Sequence, residues 1–393
     1  MKQIDCVYFD AGGGHRSALQ ALQAVLATQH RPWTLRPLQL QDALLPIDIL
    51  YRTTGLRIEE LYNRILRSGW TLGSAEMLKV LHGAIRGAHT KLTRQLAGVW
   101  QQRQPDLVLS LIPNFNRALG ESLREVLPGT PMVTLLTDLA DFPPHFWIEP
   151  PRRGEQDFVI CGTERAAEQA RKLGHAPDHV LRTSGMLLHP RFYQAVQQDR
   201  TQERMRLGLD PALPTGLVLF GGMGSPDMLE IAAALDRSPL KLQLILACGK
   251  NRQMAETLRA WPRRMPMHVE EFTTEIPRLM HLSDFFIGKP GPGSISEAIA
   301  LQLPCIVKRN AWTLPQERYN ADWVLQQGLG LVIRRNVEVV EAVRFLLGGN
   351  RLALYRARAA TQKNRAVFEV PELLETILAA APERRTVSAL RSA

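Results

Sequence analysis

The amino-acid sequence predicts an α/β protein built from two Rossmann-like domains with parallel sheets. Short, continuous apolar runs alternate with helical patterns along the 393 residues, as is typical of strands that helices cover on both faces. A glycine-rich segment follows the first such run in each half, "DAGGGH" at 10–15 and "GGMGS" at 221–225. The second half thus restarts the βα pattern of the first, which indicates two domains around a cleft.

The domain boundaries follow from a polar and then Pro/Gly-rich stretch at 195–214. We predict a first domain over 1–198, a linker over 199–214, a second domain over 215–370, and a C-terminal helix with a polar tail over 371–393. The predicted strands are Ile4–Phe9, Leu107–Ile112, Met132–Thr137 and Phe158–Cys161 in the first domain, and Leu217–Phe220, Leu242–Cys248, Asp284–Ile287, Cys305–Lys308 and Leu331–Ile333 in the second.

Composition narrows the class of protein. The net charge of +10 and the pI of about 9.7 favour an anionic partner: nucleic acid, an acidic membrane surface or a phosphorylated ligand. Nucleic acid has only the charge in its favour, because no base-reading or stacking motif accompanies it.

The four cysteines are far apart in apolar runs, which predicts buried thiols without disulfides or metal. No apolar run is long enough for a membrane span, and the N-terminus leaves no room for a signal peptide, so we expect a cytoplasmic protein.

Residues 41–103 do not fit regular βα alternation and predict a basic helical insertion. Residues 52–103 carry nine Lys/Arg against three Glu. Such a segment either lies on an anionic membrane surface or packs as a helical layer on the sheet, and the two interpretations are compatible. The tentative membrane contacts are Trp70, Arg64 and Arg67.

The stretch "GKPGPGSISEA" at 288–298 predicts a phosphate site. A strand ends in a Gly/Pro loop that leads into a helix, whose free N–H groups and positive dipole end suit a diphosphate. It is neither a Walker A loop nor G-x-G-x-x-G. Ser294 and Glu297 have the spacing of a capping box, so Glu297 is either the cap or a ligand-binding residue.

Seven motifs follow one another in order over residues 4 to about 335: "AGGGHRSA", "VTLLTDLADFPPHFW", "LFGGMGS", "LACGKN", "VEEFTTEIPRLM", "GKPGPGSISEAIALQLP" and "PQERYNADWVLQQGLG". This series resembles glycosyltransferase family 28, which includes monogalactosyldiacylglycerol synthases, diacylglycerol glucosyltransferases and the lipid II-forming N-acetylglucosaminyltransferase. The resemblance implies a GT-B architecture, in which two Rossmann-like domains face a central cleft and the C-terminal one binds a UDP-sugar donor.

The resemblance also implies which residues contact the donor. These are Gly14 in the first domain and, in the second, Gly221, Gly222, Gly224, Phe272, Gly291, Gly293, Ser294, Glu297, Gln316 and Glu317. Phe272 lies where the family holds the uracil, and Gln316 with Glu317 where it binds the sugar hydroxyls. The alternative for that pair is a helix start after Pro315.

His15 and Asp138 are the predicted catalytic residues. Transfer of a sugar to a hydroxyl needs a base, and His15 follows the first strand in the "GGGHR" context. Asp138 is a second base or orients His15, or else caps a turn. His145 and Trp147 are tentative acceptor contacts, although Pro143 stands where relatives have a histidine. Family chemistry is inverting and metal-independent, so no cofactor is expected.

We therefore expect an inverting UDP-hexose-dependent transferase that glycosylates a lipid, with diacylglycerol as leading acceptor, peripheral to the inner face of the membrane. The alternative is a UDP-sugar 2-epimerase or hydrolase without a lipid acceptor, and a third class is a non-catalytic nucleotide-sugar binder. The sequence leaves the sugar, the acceptor, processivity and oligomeric state open.

Overall fold

A computed structural model of the chain describes residues 1–9, 13–47, 82–142, 145–151 and 157–382. These residues form two compact units. The first comprises residues 1–47, 82–187 and 365–382 within the described ranges, and the second comprises residues 188–364. Each unit contains a sheet in which every strand pair is parallel.

The described part of the first unit contains a six-stranded sheet with the order β2-β1-β3-β4-β5-β6. Its strands are β1 (Lys2–Tyr8), β2 (Trp33–Gln39), β3 (Leu107–Ser110), β4 (Met132–Leu135), β5 (Asp157–Cys161) and β6 (Val180–Arg182). Its helices include α1 (Gly14–Leu26), α2 (Leu40–Leu44), α3 (His89–Arg103), α4 (Asn116–Val126) and α5 (Glu164–Lys172).

The second unit contains a six-stranded sheet with the order β12-β11-β10-β7-β8-β9, in which the chain reverses its direction of winding between β7 and β10 as in a Rossmann fold. Its strands are β7 (Thr215–Leu219), β8 (Gln243–Ala247), β9 (Met267–Glu270), β10 (Phe285–Gly288), β11 (Cys305–Lys308) and β12 (Gly330–Ile333). Its helices are α6 (Arg200–Arg206), α7 (Asp227–Asp236), α8 (Arg252–Ala260), α9 (Ile276–His281), α10 (Pro292–Ala300), α11 (Arg318–Gln326), α12 (Val339–Leu347) and α13 (Arg351–Thr361).

The predicted α/β class with two Rossmann-like sheets is confirmed, and all nine predicted strands are present. Three further strands were not predicted: β2, β6 and β9. Each lies at an edge of its sheet and pairs with one neighbour only. Their sequences are short or interrupted by polar residues, so they lack the continuous apolar run of a central strand. All four cysteines are free and buried, as expected.

Two predicted boundaries differ from the structure. The segment predicted as a linker contains α6, and Arg204 of that helix is buried. The C-terminal helix α14 (Ala366–Ala380) starts before the predicted 371. It belongs to the first unit, where Lys2 Nζ donates to the carbonyl of Leu378 at 2.6 Å and Arg31 pairs with Glu375. The described ends of the predicted insertion, 41–47 and 82–103, are mainly helical, and residues 48–81 lie outside the described ranges.

Each unit contains an aspartate, buried or largely buried, whose charge arginines neutralise. In the first unit, Asp5 of β1 is fully buried and accepts hydrogen bonds from Nε of Arg36 and Nε of Arg103, both at 2.7 Å. These bonds tie β1 to β2 and to the end of α3. Burial of a carboxylate is tolerated because the charge is paired and hydrogen-bonded.

The equivalent cluster of the second unit surrounds Asp284, the residue before β10. Its two oxygens accept from Arg200 at 2.7 Å and from Arg204 at 2.8 Å, and the N–H of Thr215 donates to it at 2.8 Å. Burial alone would raise the pKa of Asp284, but the bonds from Arg200 and Thr215 outweigh burial and hold the pKa below its usual value. The cluster joins α6 to the amino ends of β7 and β10.

Asp284→Asn is expected to lower the free energy of unfolding by about 3 kcal/mol at pH 7, because it leaves the buried guanidinium of Arg204 without its counter-charge. Because the folded-state pKa is lowered, the stabilisation is present above the unfolded pKa and is lost as pH falls through the folded pKa. Urea unfolding between pH 3 and pH 7 measures both effects. Glu341→Gln removes an exposed ion pair with Arg344 and serves as control, with an expected change below about 0.5 kcal/mol. An equal, small effect of both variants would contradict the assigned role of Asp284.

Candidate active site

Two glycine-rich loops of the second unit flank the point where its strand order reverses. The first, residues 220–225, follows β7, and the second, residues 289–291, follows β10. In open α/β sheets, ligands bind at the carboxyl ends of the strands at this point. The adjacent strands place both loops at one edge of the sheet.

The loop after β7 is fixed by backbone contacts that exclude larger residues. Gly221 and Gly224 have φ angles of 76° and 65°, which disfavour other residues. The N–H of Lys250 donates to the carbonyl of Gly222 at 2.9 Å, and a Cβ on Gly249 would lie 2.4 Å from the same oxygen. The loops after β7 and β8 are therefore held together through main-chain atoms.

Gly222 and Gly293 differ from these glycines. A Cβ added at either would meet no atom within 4 Å, and neither has a positive φ. The fold itself would accommodate a side chain at both positions. Their lack of a side chain leaves the backbone open on both sides of the reversal point, which is what close approach of a diphosphate requires.

Helix α10 begins at Pro292 with Gly291 as its N-cap and without a side-chain cap. The predicted capping box of Ser294 and Glu297 is therefore wrong, because proline at the first helical position starts the helix earlier. The N–H groups of the first turn have no side-chain cap. Glu297 is half-buried, and burial raises its pKa to about 7, opposed by the charge of Arg191.

Glu317 forms an ion pair with Lys289, the residue directly after β10. Lys289 Nζ lies 2.8 Å from Glu317 Oε1. Glu317 is buried in the turn Pro315–Glu317, and Gln316 beside it is half-buried. The turn precedes α11 and faces the loop after β10, as a Cβ on Gly291 would lie 3.8 Å from Glu317 Oε1. Sequence reasoning missed Lys289, whose partner is distant in the chain.

Phe272 lies on the loop after β9 and is 56% exposed. The ammonium of Lys250 lies 5.3 Å from the centre of its ring, a cation–π contact. On the same loop, the carbonyl of Thr274 accepts a hydrogen bond from Arg191 at 2.5 Å. Phe272 therefore presents an aromatic face at the carboxyl edge of the sheet, two strands from β7. Lys250 and Arg191 were not among the predicted site residues.

In the first unit, His15 lies in the first turn of α1, which begins at the exposed Gly14. The His15 ring packs against Phe9 and Trp147, with centroids 6.4 and 5.8 Å away, and Thr137 Oγ1 lies 3.4 Å from its Nδ1. Burial lowers the pKa of His15 to about 4, although a hydrogen bond to the backbone of Leu111 opposes the shift. The imidazole is therefore neutral near pH 7 and able to accept a proton.

Asp138 contacts the neighbour of His15. Its Oδ2 accepts a hydrogen bond from Trp147 Nε1 at 2.8 Å, while Asp141 accepts from the N–H of Trp147 at 2.7 Å. Burial raises the pKa of Asp141 to about 6. Trp147 is fully buried, so the expectation that it contacts a membrane or an acceptor is not supported. It is a core residue that packs against His15, and Asp138 orients it.

A cavity of about 340 Å³ lies in the first unit between α3, α4 and the segment 145–149. It is lined by His82, Ile85, Arg86, His89, Asn114, Arg117, Ala118, His145 and Glu149. His145, a predicted acceptor contact, has a φ of 52° and its Nδ1 lies 3.2 Å from the carbonyl of Ile148. The other lining residues were not predicted, since they are spread over nearly 70 positions.

The candidates Trp70, Arg64 and Arg67, and also Pro143, lie outside the described residues.

Comparison with known proteins assigns the second unit to a known domain family. Residues 217–372 match the glycosyltransferase family 28 C-terminal domain. The chain is also similar to a chloroplastic monogalactosyldiacylglycerol synthase of Spinacia oleracea. The identity is 26% over 410 aligned residues, which cover 96% of this chain and 73% of the relative.

Two solved structures share the fold. MurG of Acinetobacter baumannii superposes with a TM-score of 0.62 at 13% identity, covering 96% of this chain and 100% of MurG. A UDP-GlcNAc 2-epimerase from Neisseria meningitidis superposes with a TM-score of 0.60 at 14% identity, covering 95% and 100%. At these identities the likeness shows the fold alone. With the domain match and the similarity to the plant enzyme, the predicted GT-B fold and family resemblance are confirmed: the chain carries a glycosyltransferase family 28 C-terminal domain and is a glycosyltransferase.

Proposed function

We propose that this protein transfers a hexose from a UDP-sugar to a lipid hydroxyl, with inversion and without a metal, to give a β-glycolipid. Diacylglycerol is the expected acceptor. The observation that carries the proposal is the group of open backbone, aromatic and carboxylate residues at the carboxyl edge of the second sheet. That group lies within the segment matched by the family 28 domain, and the relative at 26% identity is a monogalactosyldiacylglycerol synthase.

The geometry of the second unit supports the proposed donor contacts. The open glycines Gly222 and Gly293 allow the diphosphate to approach main-chain N–H groups. Phe272 offers its exposed ring to the uracil, and strands spaced about 4.8 Å apart put β9 about 10 Å from β7, a fitting separation for base and diphosphate. Glu297 accepts hydrogen bonds from the ribose, and Gln316 with Glu317 binds the sugar hydroxyls.

His15 is the proposed base of the transfer. Its neutral imidazole takes the proton of the acceptor hydroxyl as the bond to the sugar forms and the bond to the diphosphate breaks. The packing of Trp147, held by Asp138, fixes the imidazole ring. Asp138 is therefore proposed as a positioning residue.

Membrane association is proposed to be peripheral, at the inner face of the cell membrane. Within the described ranges, no helix combines the length and apolar character needed to cross a bilayer. The basic residues between 52 and 103 supply cations for anionic headgroups.

A donor–acceptor matrix tests the proposed reaction. Purified protein is mixed with UDP-galactose, UDP-glucose or UDP-N-acetylglucosamine, with diacylglycerol in neutral or anionic vesicles. UDP release and product mass are measured. We expect release that depends on diacylglycerol, rises with anionic lipid and falls with salt. Isomerisation of the sugar nucleotide by NMR without acceptor would instead support an epimerase, and acceptor-free UDP release a hydrolase.

His15→Ala is expected to lower kcat by about 10²- to 10⁴-fold, the usual contribution of a general base. Because the His15 pKa is lowered, the wild-type enzyme is expected to keep its activity as pH falls from 7 towards 5. The exposed His30 provides the control substitution, His30→Ala, with unchanged kcat. Near-normal turnover of the His15 variant would show that the base is elsewhere.

Donor affinity is expected to depend on pH through Glu297. With a pKa of about 7, the carboxyl ionises between pH 6 and pH 8, and the carboxylate is the stronger acceptor for ribose hydroxyls. Affinity for UDP-glucose should rise up to about tenfold over this range, following the ionised fraction. Titration calorimetry with Glu297→Gln should show a flat profile, whereas Glu256→Gln, at an exposed position of α8, should match the wild type. A pH profile shared by all three proteins would exclude Glu297 as the titrating group.

A further inference from the structure

Lys289 is the first residue of the second glycine-rich loop of the donor site, and its side chain contacts both loops. A Cβ added at Gly221 would lie 3.6 Å from Lys289 Cε, and one added at Gly291 would lie 3.5 Å from the same atom. The aliphatic part of the lysine thus runs along backbone that lacks side chains on both sides. This places its ammonium at the reversal point of the sheet, where the proposed function puts the diphosphate.

The partner of that ammonium is held rigidly. The side chain of Glu317 is only 10% exposed, whereas that of Lys289 is 40% exposed. The N–H of Glu317 donates to the carbonyl of Leu314 at 2.9 Å, and the fully buried Asn320 donates to the carbonyl of Pro290 at 2.8 Å. The turn that carries Glu317 is therefore anchored to the loop that carries the lysine, and the lysine is the more exposed member of the pair.

We propose that Lys289 binds the diphosphate of the donor and that Glu317 holds it in place before the donor arrives. This inference rests on the proposed function. The carboxylate of Glu317 and the diphosphate are both anions that bind the ammonium of Lys289, so Glu317 competes with the diphosphate for Lys289. In the same step the carboxylate is freed to accept hydrogen bonds from the sugar hydroxyls. The ion pair thereby links recognition of the sugar to recognition of the leaving group.

If Glu317 competes with the diphosphate, removing the charge of Lys289 weakens UDP binding and removing the charge of Glu317 strengthens it. If the ion pair is purely structural, both substitutions weaken UDP binding to a similar extent. Lys289→Met removes the cation and keeps the length of the side chain. Glu317→Gln removes the competing charge and keeps its shape. Lys241→Met, an exposed lysine before β8 at the opposite edge of the sheet, is the matched control.

Calorimetric titration of the full chain with UDP and with uridine tests the inference. We expect Lys289→Met to raise the Kd for UDP at least tenfold and the Kd for uridine less than twofold. Glu317→Gln is expected to lower the Kd for UDP two- to fivefold, and Lys241→Met to change neither ligand. Lys289→Arg, which keeps the charge, should bind UDP within about threefold of the wild type.

Similar weakening of UDP binding by Lys289→Met and Glu317→Gln would overturn the inference, as would wild-type UDP affinity in Lys289→Met. Thermal unfolding of each variant identifies those that fail to fold. If Lys289→Met does not fold, Glu317→Gln decides: tighter UDP binding supports the competing ion pair, and weaker UDP binding overturns the inference. A wild-type protein that binds neither UDP nor uridine would overturn the proposed function itself, a result distinct from the variant outcomes.

Discussion

The close approach of main chains at the carboxyl edge of the second sheet is the constraint on which the rest of the site depends. A Cβ on Gly288 would lie 2.4 Å from the carbonyl oxygen of Leu219, so the ends of β7 and β10 meet with no room for a side chain. The loops that follow β7 and β10 begin at this contact and separate from each other beyond it. The proposed donor contacts in the second unit lie on loops, on a turn or in the first two turns of α10 at this edge.

Within that arrangement, the glycines have two different roles. Gly221, Gly224 and Gly249 are required by positive φ angles, so the fold would be strained by any replacement. No contact with a described residue requires glycine at Gly222 or Gly293. This difference separates the glycines that build the loops from those that leave space for a ligand. A glycine-rich motif in a sequence does not reveal which glycine has which role, because the difference depends on the neighbouring loops.

The sequence predicted the central strands, the two Rossmann-like units and both glycine loops, since these depend on continuous apolar runs and local turn chemistry. It did not predict three of the four edge strands, β2, β6 and β9, which are short or interrupted by polar residues. It also did not predict Lys289, whose significance comes from Glu317, a residue 28 positions away. The cavity beside α3 was missed for the same reason, as its histidines come from separate segments. The capping box was wrong because Pro292 begins the helix before Ser294.

The four-residue strand β10 has a different type of ion cluster at each end. Asp284 precedes it with arginine partners, and Lys289 follows it with Glu317. At about 3.3 Å per residue the two residues are roughly 16 Å apart, too far for direct exchange of hydrogen-bond partners. Protein engineering can therefore treat the two ends separately. Substitutions around Asp284 can adjust thermal tolerance, and substitutions around Lys289 can adjust the choice of sugar nucleotide, without a trade-off imposed by shared contacts.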